Sequence, residues 1–533
     1  MPIDFRNGTL VVQFSYNRVL VDRVRALPER AWNKDLRIWT APVEHLPLVM
    51  EALPDLPVTE AARDAYQRLQ NTLAASRSSD ASAEVIVPGG TLRPYQVAAV
   101  RYIEAKKGRV LNADQMGLGK SLESLAYIHR HEDELLPLVV VCPASVKEQW
   151  KREAARWLGW SENSILVIYG RAPFILPKIK MYILNYELLD MWTSCLKSAS
   201  VKSLIADESH LLKNKGAKRS MMVHSLASGL LCVMALTGTP VLNRPEELWN
   251  QVRLVRPDVF PSEWRFKERY AGFHKGRFGW EAGEPAHLED LETRLRANLM
   301  IRREKSEVLD ELPELQRITV PLGVDLAEYR KVAGPAVERL RRARKNGTLS
   351  GMSIQDITQL RQEATIAKLE PAKAWIREFL ATSNRLVVFG HHHFALDNLA
   401  TEFGVPALDG RVSSIKRQEA IDTFQAGEGQ LLICGTRAMG QGINLQSVSY
   451  CAFLELDWNM AMHEQAESRL HRMGQENAVT AYYLTALRTI DEPMMGMLAV
   501  KQEVVERSMG VDEPTPKVLE ILVDLLLEGA EST

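Results

Sequence analysis

The chain has 533 residues, of which 46% are hydrophobic and 25% charged, with a formal net charge of −1. That length is more than one hydrophobic core sustains, so a multidomain globular protein is expected; near-neutrality excludes a surface that is basic throughout but not a local basic cleft. No apolar run is long enough for a membrane span, and the N-terminus MPIDFRNGTL has no basic region followed by an apolar core, so neither a span nor a secretory signal is expected.

Five cysteines (Cys142, Cys195, Cys232, Cys434, Cys451) have no paired spacing. They fit a reducing compartment, and a cytoplasmic protein is the expectation. Along the chain, LVVQFSY alternates like a strand, a helix is expected around Val19 to Leu27, and RIWTAP reads as another strand. Residues 1–56 therefore form a small α+β domain, with Trp32 and Trp39 expected in its core. A helix and a Ser/Ala-rich linker occupy 57–90.

From Thr91 short apolar runs alternate with amphipathic helices. The first series is Arg109–Asn112, Leu138–Cys142, Ile165–Ile168, Tyr182–Leu184, Leu204–Ala206 and Leu231–Leu236. A second comprises Leu386–Phe389, Leu431–Cys434, Cys451–Leu454 and Ala481–Leu484. Strands apolar on both faces indicate parallel sheets covered by helices. The fold class is α/β, with two parallel-sheet lobes at 91–245 and 366–490, a helical insertion at 246–365 and a C-terminal helical brace at 491–533.

Asp114-Gln-Met-Gly-Leu-Gly-Lys-Ser121 lies between a strand and a helix, the context of a phosphate-binding loop. Gly117 and Gly119 let backbone N–H groups turn toward phosphates, Lys120 neutralises the β- and γ-phosphates, and the Ser121 hydroxyl ligates Mg2+. Asp114 stands where the general motif has glycine. Asp207 and Glu208 end another buried strand: one carboxylate holds the metal and the other polarises the attacking water. Leu236-Thr-Gly-Thr-Pro240 reads as a phosphate sensor or a plain turn. Arg469 and Arg472, at i and i+3, share a helix face from which guanidinium groups can meet a γ-phosphate.

Together these residues resemble the Swi/Snf-type DNA-dependent ATPases of helicase superfamily two, from about Thr91 to Leu484. Leu92-Arg93-Pro-Tyr-Gln96 is similar to the family's adenine-side motif, which implies that Gln96 reads the base and that Arg93 belongs to the nucleotide site. Val141 to Ser145 with Gln149-Trp150 looks like the motif that contacts the DNA backbone. Thr436-Arg437-Ala-Met-Gly-Gln-Gly442-Ile-Asn444 resembles the glycine-rich motif. Ser209-His210, the stretch from Phe260 to Pro313 and, more weakly, the N-terminal domain resemble the HARP-type annealing-helicase branch. Gln115 and Met460 depart from the family at positions where an acid and a proline are common.

The resemblance implies an ATP- and Mg2+-dependent motor on double-stranded DNA, acting as a monomer, with forked or branched DNA as a further substrate. A strand-separating helicase and a non-travelling DNA-binding switch are the alternatives. By motif position, Ser145, Lys147, Lys213, Asn214, Thr436 and Arg437 are the candidate DNA contacts. The aromatic and basic stretch from Trp264 to Phe278 either lines DNA or packs the insertion, and Arg339–Lys345 reads first as a solvated helix face. The short chain, with no recognisable chromatin-reader module, suggests a bacterial or phage source.

Overall fold

The computed structural model describes residues 2–79, 84–238, 245–276, 279–281, 283, 285–309, 311–349, 351–382, 384–436, 444–457, 460–499, 520 and 522–527. No described helix is long and apolar enough to cross a membrane. Among the described residues, the first lobe is a parallel sheet in the order 300–301, 109–112, 232–236, 203–206, 138–142, 181–185, 165–167. The strands Leu138–Cys142, Met181–Asn185, Ser203–Ala206 and Cys232–Leu236 are buried at every residue. Helices cover both faces, which is why these strands read as unbroken apolar runs.

The second lobe repeats this plan in the order 315–322, 479–486, 450–453, 386–390, 431–435, 407–408, again all parallel. Its outer strand at one edge explains a correction to the expected boundaries. Leu315–Leu322, assigned above to a helical insertion, is an edge strand of this sheet. Most of its residues are exposed, and it carries Pro321, as an edge tolerates. It therefore has no apolar run to betray it.

The preceding strand, Met300–Ile301, is two residues long and completes the first sheet beside Arg109–Asn112. The long helix Gly351–Ala381 runs through the expected 365/366 boundary, and the helices of 327–381 pack on the second core. The segment 246–365 is thus shared between the lobes rather than inserted between them.

The N-terminal domain is a four-stranded antiparallel sheet, Ile3–Arg6, Thr9–Val12, Ile38–Ala41 and Ala31–Asn33, with the helices Arg18–Ala26 and Leu46–Ala52. Trp32 opposes Trp39 across the last pair, with ring centroids 5.0 Å apart. Trp39 packs against the core, but Trp32 is 46% exposed, so the expected burial fails for Trp32: its three-residue edge strand is exposed at every position.

This domain docks on the first lobe through a half-buried polar cluster. Arg294 pairs with Glu29 and Glu44, His45 faces Asp290, and Asp290 also accepts from Arg269 and Tyr270. Phe260, Phe266 and Tyr270 pack edge to face beside it. Phe266, Arg269 and Tyr270 of the 264–278 stretch therefore pack this junction, while Trp264 and Arg265 stay exposed. Arg339 is paired with Asp356 and Arg344 with Asp524, so the basic run is balanced by acids. At the C-terminus, Leu522, Val523 and Leu526 are buried in the second lobe's core.

Candidate active site

Three adjacent strands of the first sheet end at one place, where ligands collect in open α/β sheets. Strand Arg109–Asn112 leads into the phosphate loop, Ser203–Ala206 into Asp207-Glu208, and Cys232–Leu236 into Thr237; residues 239 and 240 of that last motif lie outside the described residues. Gly119 has φ +94° and precedes the helix Lys120–Arg130, and a Cβ there would collide with Gln96 Nε2. Gly117 has φ +93°. Both positions therefore require glycine.

Asp114, the departure from the glycine pattern, is fully buried beneath this loop. Its carboxylate accepts the backbone N–H and guanidinium of Arg303, which also donates to the Tyr95 carbonyl and to Glu123. Asn112 donates to Glu123 at 2.6 Å. Burial, then the neighbouring Asp114, push the Glu123 pKa up. Removing one member of such a buried charge set costs on the order of 3–5 kcal/mol. The aspartate anchors the loop where a glycine could not.

Lys120 Nζ donates to the Asp114 carbonyl at 2.7 Å; burial lowers its pKa, while Glu208, Asp114 and Asp207 oppose that. Asp207 is pushed up by burial and by Glu208, and restrained by the Trp150 indole, which donates to Oδ2 at 2.9 Å. Burial also works against the Glu208 carboxylate, yet His210, with Nδ1 3.2 Å from Oε2, together with Lys120 and Arg469, holds it below its ordinary value. Glu208 has φ +50°, a left-handed conformation unusual for a non-glycine residue.

The second lobe closes the cleft. Gln465 Nε2 lies 3.5 Å from Glu208 Oε1, Tyr95 and Met473 are in contact, and Arg152 pairs with Asp422 across the gap at 3.2 Å. Burial lowers the Arg469 pKa to about 10, against the pull of Glu208 and Asp207. Burial lowers that of Arg472 too, with Glu153 opposing. Lys120, Ser121, Asp207, Glu208, Arg469 and Arg472 thus line one cleft of about 630 Å³, of the size that holds a small-molecule cofactor. Arg93, Gln96, Gly117 and Gly119 line it as well. Gln96 is buried, accepting from the Arg93 N–H and donating to the Leu118 carbonyl.

Two observations fit a polyphosphate and its metal. The buried Nε of Arg472 has no hydrogen-bond partner among the described residues, a vacancy that a phosphate oxygen would fill. Ser121 and Asp207 supply hard oxygen donors of the kind Mg2+ prefers.

Among the expected DNA-facing residues, Lys147, Thr436 and Trp150 are placed otherwise. Lys147 is buried, donates to the Ile168 carbonyl at 3.0 Å and to Asn185 at 3.2 Å, and stacks over Tyr169. It serves the lobe's interior, which corrects its assignment as a residue presented to DNA. Thr436 is buried and donates to the Gly390 carbonyl at 3.1 Å, so it is not presented to DNA either. Trp150, assigned with Gln149 to the DNA-facing motif, is turned into the cleft. Ser145 and Lys213 are half-buried and Asn214 is exposed; Lys213 faces Glu247 at 3.7 Å. Gly442 and Arg437 lie outside the described residues. Sequence reasoning missed Glu153, on the helix Lys147–Leu158, which bonds Gln149 and Ser121. Its only signal was its position three residues after Trp150.

Family models match both lobes of the chain. Residues 95–362 match the SNF2-related domain and residues 371–474 the helicase conserved C-terminal domain. The chain is 30% identical over 516 residues to the SWI/SNF-related matrix-associated actin-dependent regulator of chromatin subfamily A-like protein 1 of Xenopus laevis, covering 92% of this chain and 53% of that protein. It is 31% identical over 435 residues to the human DNA annealing helicase and endonuclease ZRANB3, covering 78% of this chain and 40% of that one. The chain therefore spans about half the length of these relatives or less. A solved Sulfolobus solfataricus SWI2/SNF2 ATPase core in complex with dsDNA aligns at 24% identity and a TM-score of 0.41, covering 80% of this chain and 94% of that one. Both curated relatives are animal proteins, so the expected bacterial or phage source draws no support from them.

Proposed function

The chain belongs to the SNF2-related family, and from that premise we propose that it is an ATP-driven motor that travels along double-stranded DNA. The observation that carries this reading is the meeting of Lys120 and Glu208 from the first lobe with Arg469 and Arg472 from the second in one cleft. A chain that only bound nucleotide would not need a carboxylate held ionised beside buried guanidinium groups.

In this reading Lys120 and the backbone N–H groups of the phosphate loop grip the β- and γ-phosphates of ATP. Ser121 and Asp207 hold Mg2+, which when bound supplies charge neutralisation at the phosphates. Trp150 fixes the orientation of Asp207 through its indole N–H. Glu208 orients the attacking water and accepts its proton, and its low pKa keeps it ready to do so. Arg469 and Arg472 stabilise the charge that develops on the transferring phosphoryl group. Because the arginines come from the other lobe, hydrolysis and lobe closure are linked, and repeated closure moves the lobes' grip along DNA.

The name of the human relative, a DNA annealing helicase, supports DNA rather than RNA as the track and strand annealing as a further activity. Asn214, Lys213 and Ser145 remain the proposed backbone contacts, and the motor acts as a monomer. The test is the ATPase rate with linear duplexes of increasing length, with single strands and with RNA. A travelling motor turns over faster on longer duplex until the rate levels off. A rate indifferent to duplex length points to a stationary switch, and preferential stimulation by RNA removes the proposal.

A further inference from the structure

Lys305 is not among the residues used above, yet it stands where the two lobes meet. It follows the edge strand Met300–Ile301 and opens the short helical turn Lys305–Val308. Its backbone N–H donates to Gln115 Oε1 at 2.7 Å, which ties it to the phosphate loop and gives Gln115 a purpose that an acidic residue is not needed to serve. Its side chain runs along that loop, so a Cβ on Gly117 would lie 3.2 Å from its Cε and 3.2 Å from Cβ of Arg472. At its end, Nζ donates to the His471 carbonyl at 2.5 Å. His471 lies between Arg469 and Arg472, and its ring Nε2 is 2.8 Å from the Pro313 carbonyl. The arginine segment is thus held at two points by the chain that connects the lobes.

This lysine is only 7% exposed. Burial, then Arg472, Lys120 and Arg469, push its pKa down to about 7, with Glu467 opposing. A buried amine facing three cations is unfavourable in isolation, and such arrangements gather at functional sites. Anionic phosphates in the cleft would relieve the repulsion.

We propose that Lys305 is the positioning residue that locks the arginine segment of the second lobe against the phosphate loop of the first, so that Arg469 and Arg472 reach the phosphates held by Lys120. The inference rests on the ATPase reading above and adds the contact that links closure to hydrolysis. Lys305 does not touch the reacting atoms; it acts through the His471 carbonyl.

The experiment compares Lys305→Gln and Lys305→Arg with the unmodified chain. It measures kcat and KM for ATP at saturating duplex DNA, ADP affinity without DNA, and thermal unfolding. Lys305→Gln is expected to lower kcat on the order of ten- to a hundredfold, as loss of alignment does. KM and ADP affinity should stay within about twofold, because ground-state binding is untouched. Lys305→Arg, which keeps the charge and the donor, should recover much of the rate. Unchanged kcat overturns the inference. A fall in kcat matched by a similar loss of ADP affinity also overturns it, because Lys305 would then be a phosphate ligand. Equal losses in both variants with a lowered Tm overturn it in favour of a packing role. An unmodified chain that hydrolyses no ATP removes the ATPase reading itself, whereas an active chain indifferent to Lys305→Gln removes only this inference.

Discussion

Glu208→Gln is expected to abolish ATP turnover while leaving nucleotide binding and the fold in place. The substitution keeps the shape of the side chain and the backbone at φ +50°, and glutamine tolerates that conformation no worse than glutamate does. What it removes is the base. Burial works against a charge at this position, and His210, Lys120 and Arg469 counter it, so the carboxylate is built to be ionised at neutral pH. General base catalysis contributes on the order of a hundred- to ten-thousandfold, and the loss of kcat should fall in that range. Steady-state ATPase assays at saturating DNA, paired with ADP binding, check this. A glutamine variant with near-normal kcat would show that Glu208 takes no proton.

Arg472→Ala is expected to lower kcat by about a thousandfold, with a similar effect from Arg469→Ala, because an arginine supplied to a phosphoryl-transfer site is worth at least that much. The two residues do not sit in equivalent surroundings. Arg469 faces the Asp207–Glu208 pair, whereas Arg472 faces Glu153. Losing Arg469 therefore also removes a cation that keeps Glu208 ionised. Its variant should show its activity loss deepening as pH falls, because the Glu208 pKa would rise toward the assay range. The Arg472 variant should lose kcat without that pH dependence. Rates measured from pH 6 to pH 8 separate the two; coincident profiles would mean that the arginines share one role.

Much of this was legible in the residues because parallel strands buried on both faces leave continuous apolar runs. Leu138–Cys142 and Leu431–Gly435 could not be missed on that ground. Edge strands are not marked in this way: Leu315–Leu322 is mostly exposed and Met300–Ile301 too short to show a period, so both were absorbed into a supposed insertion. That Lys120, Asp207, Glu208, Arg469 and Arg472 belong to candidate site motifs was readable because each sits in a compact local pattern, and the fold brings them to one cleft. Trp150, Glu153, Arg303 and Lys305 were not, since their roles arise from contacts between segments distant in the chain, such as Arg303 with Asp114 and Lys305 with His471. Lys147 was misread for the same reason. Its position in a motif suggested DNA, but the fold points its ammonium inward to the Ile168 carbonyl and Asn185.

The central claim is that both lobes act on one nucleotide, and a structure of the chain with duplex DNA, Mg2+, ADP and aluminium fluoride tests it most directly. The account predicts that Lys120 Nζ and the guanidinium groups of Arg469 and Arg472 all lie within about 3 Å of the same fluoride group, with Glu208 facing the water on its far side. A trapped complex in which Lys120 holds the fluoride while both arginines remain turned away, bound to protein groups alone, would contradict it.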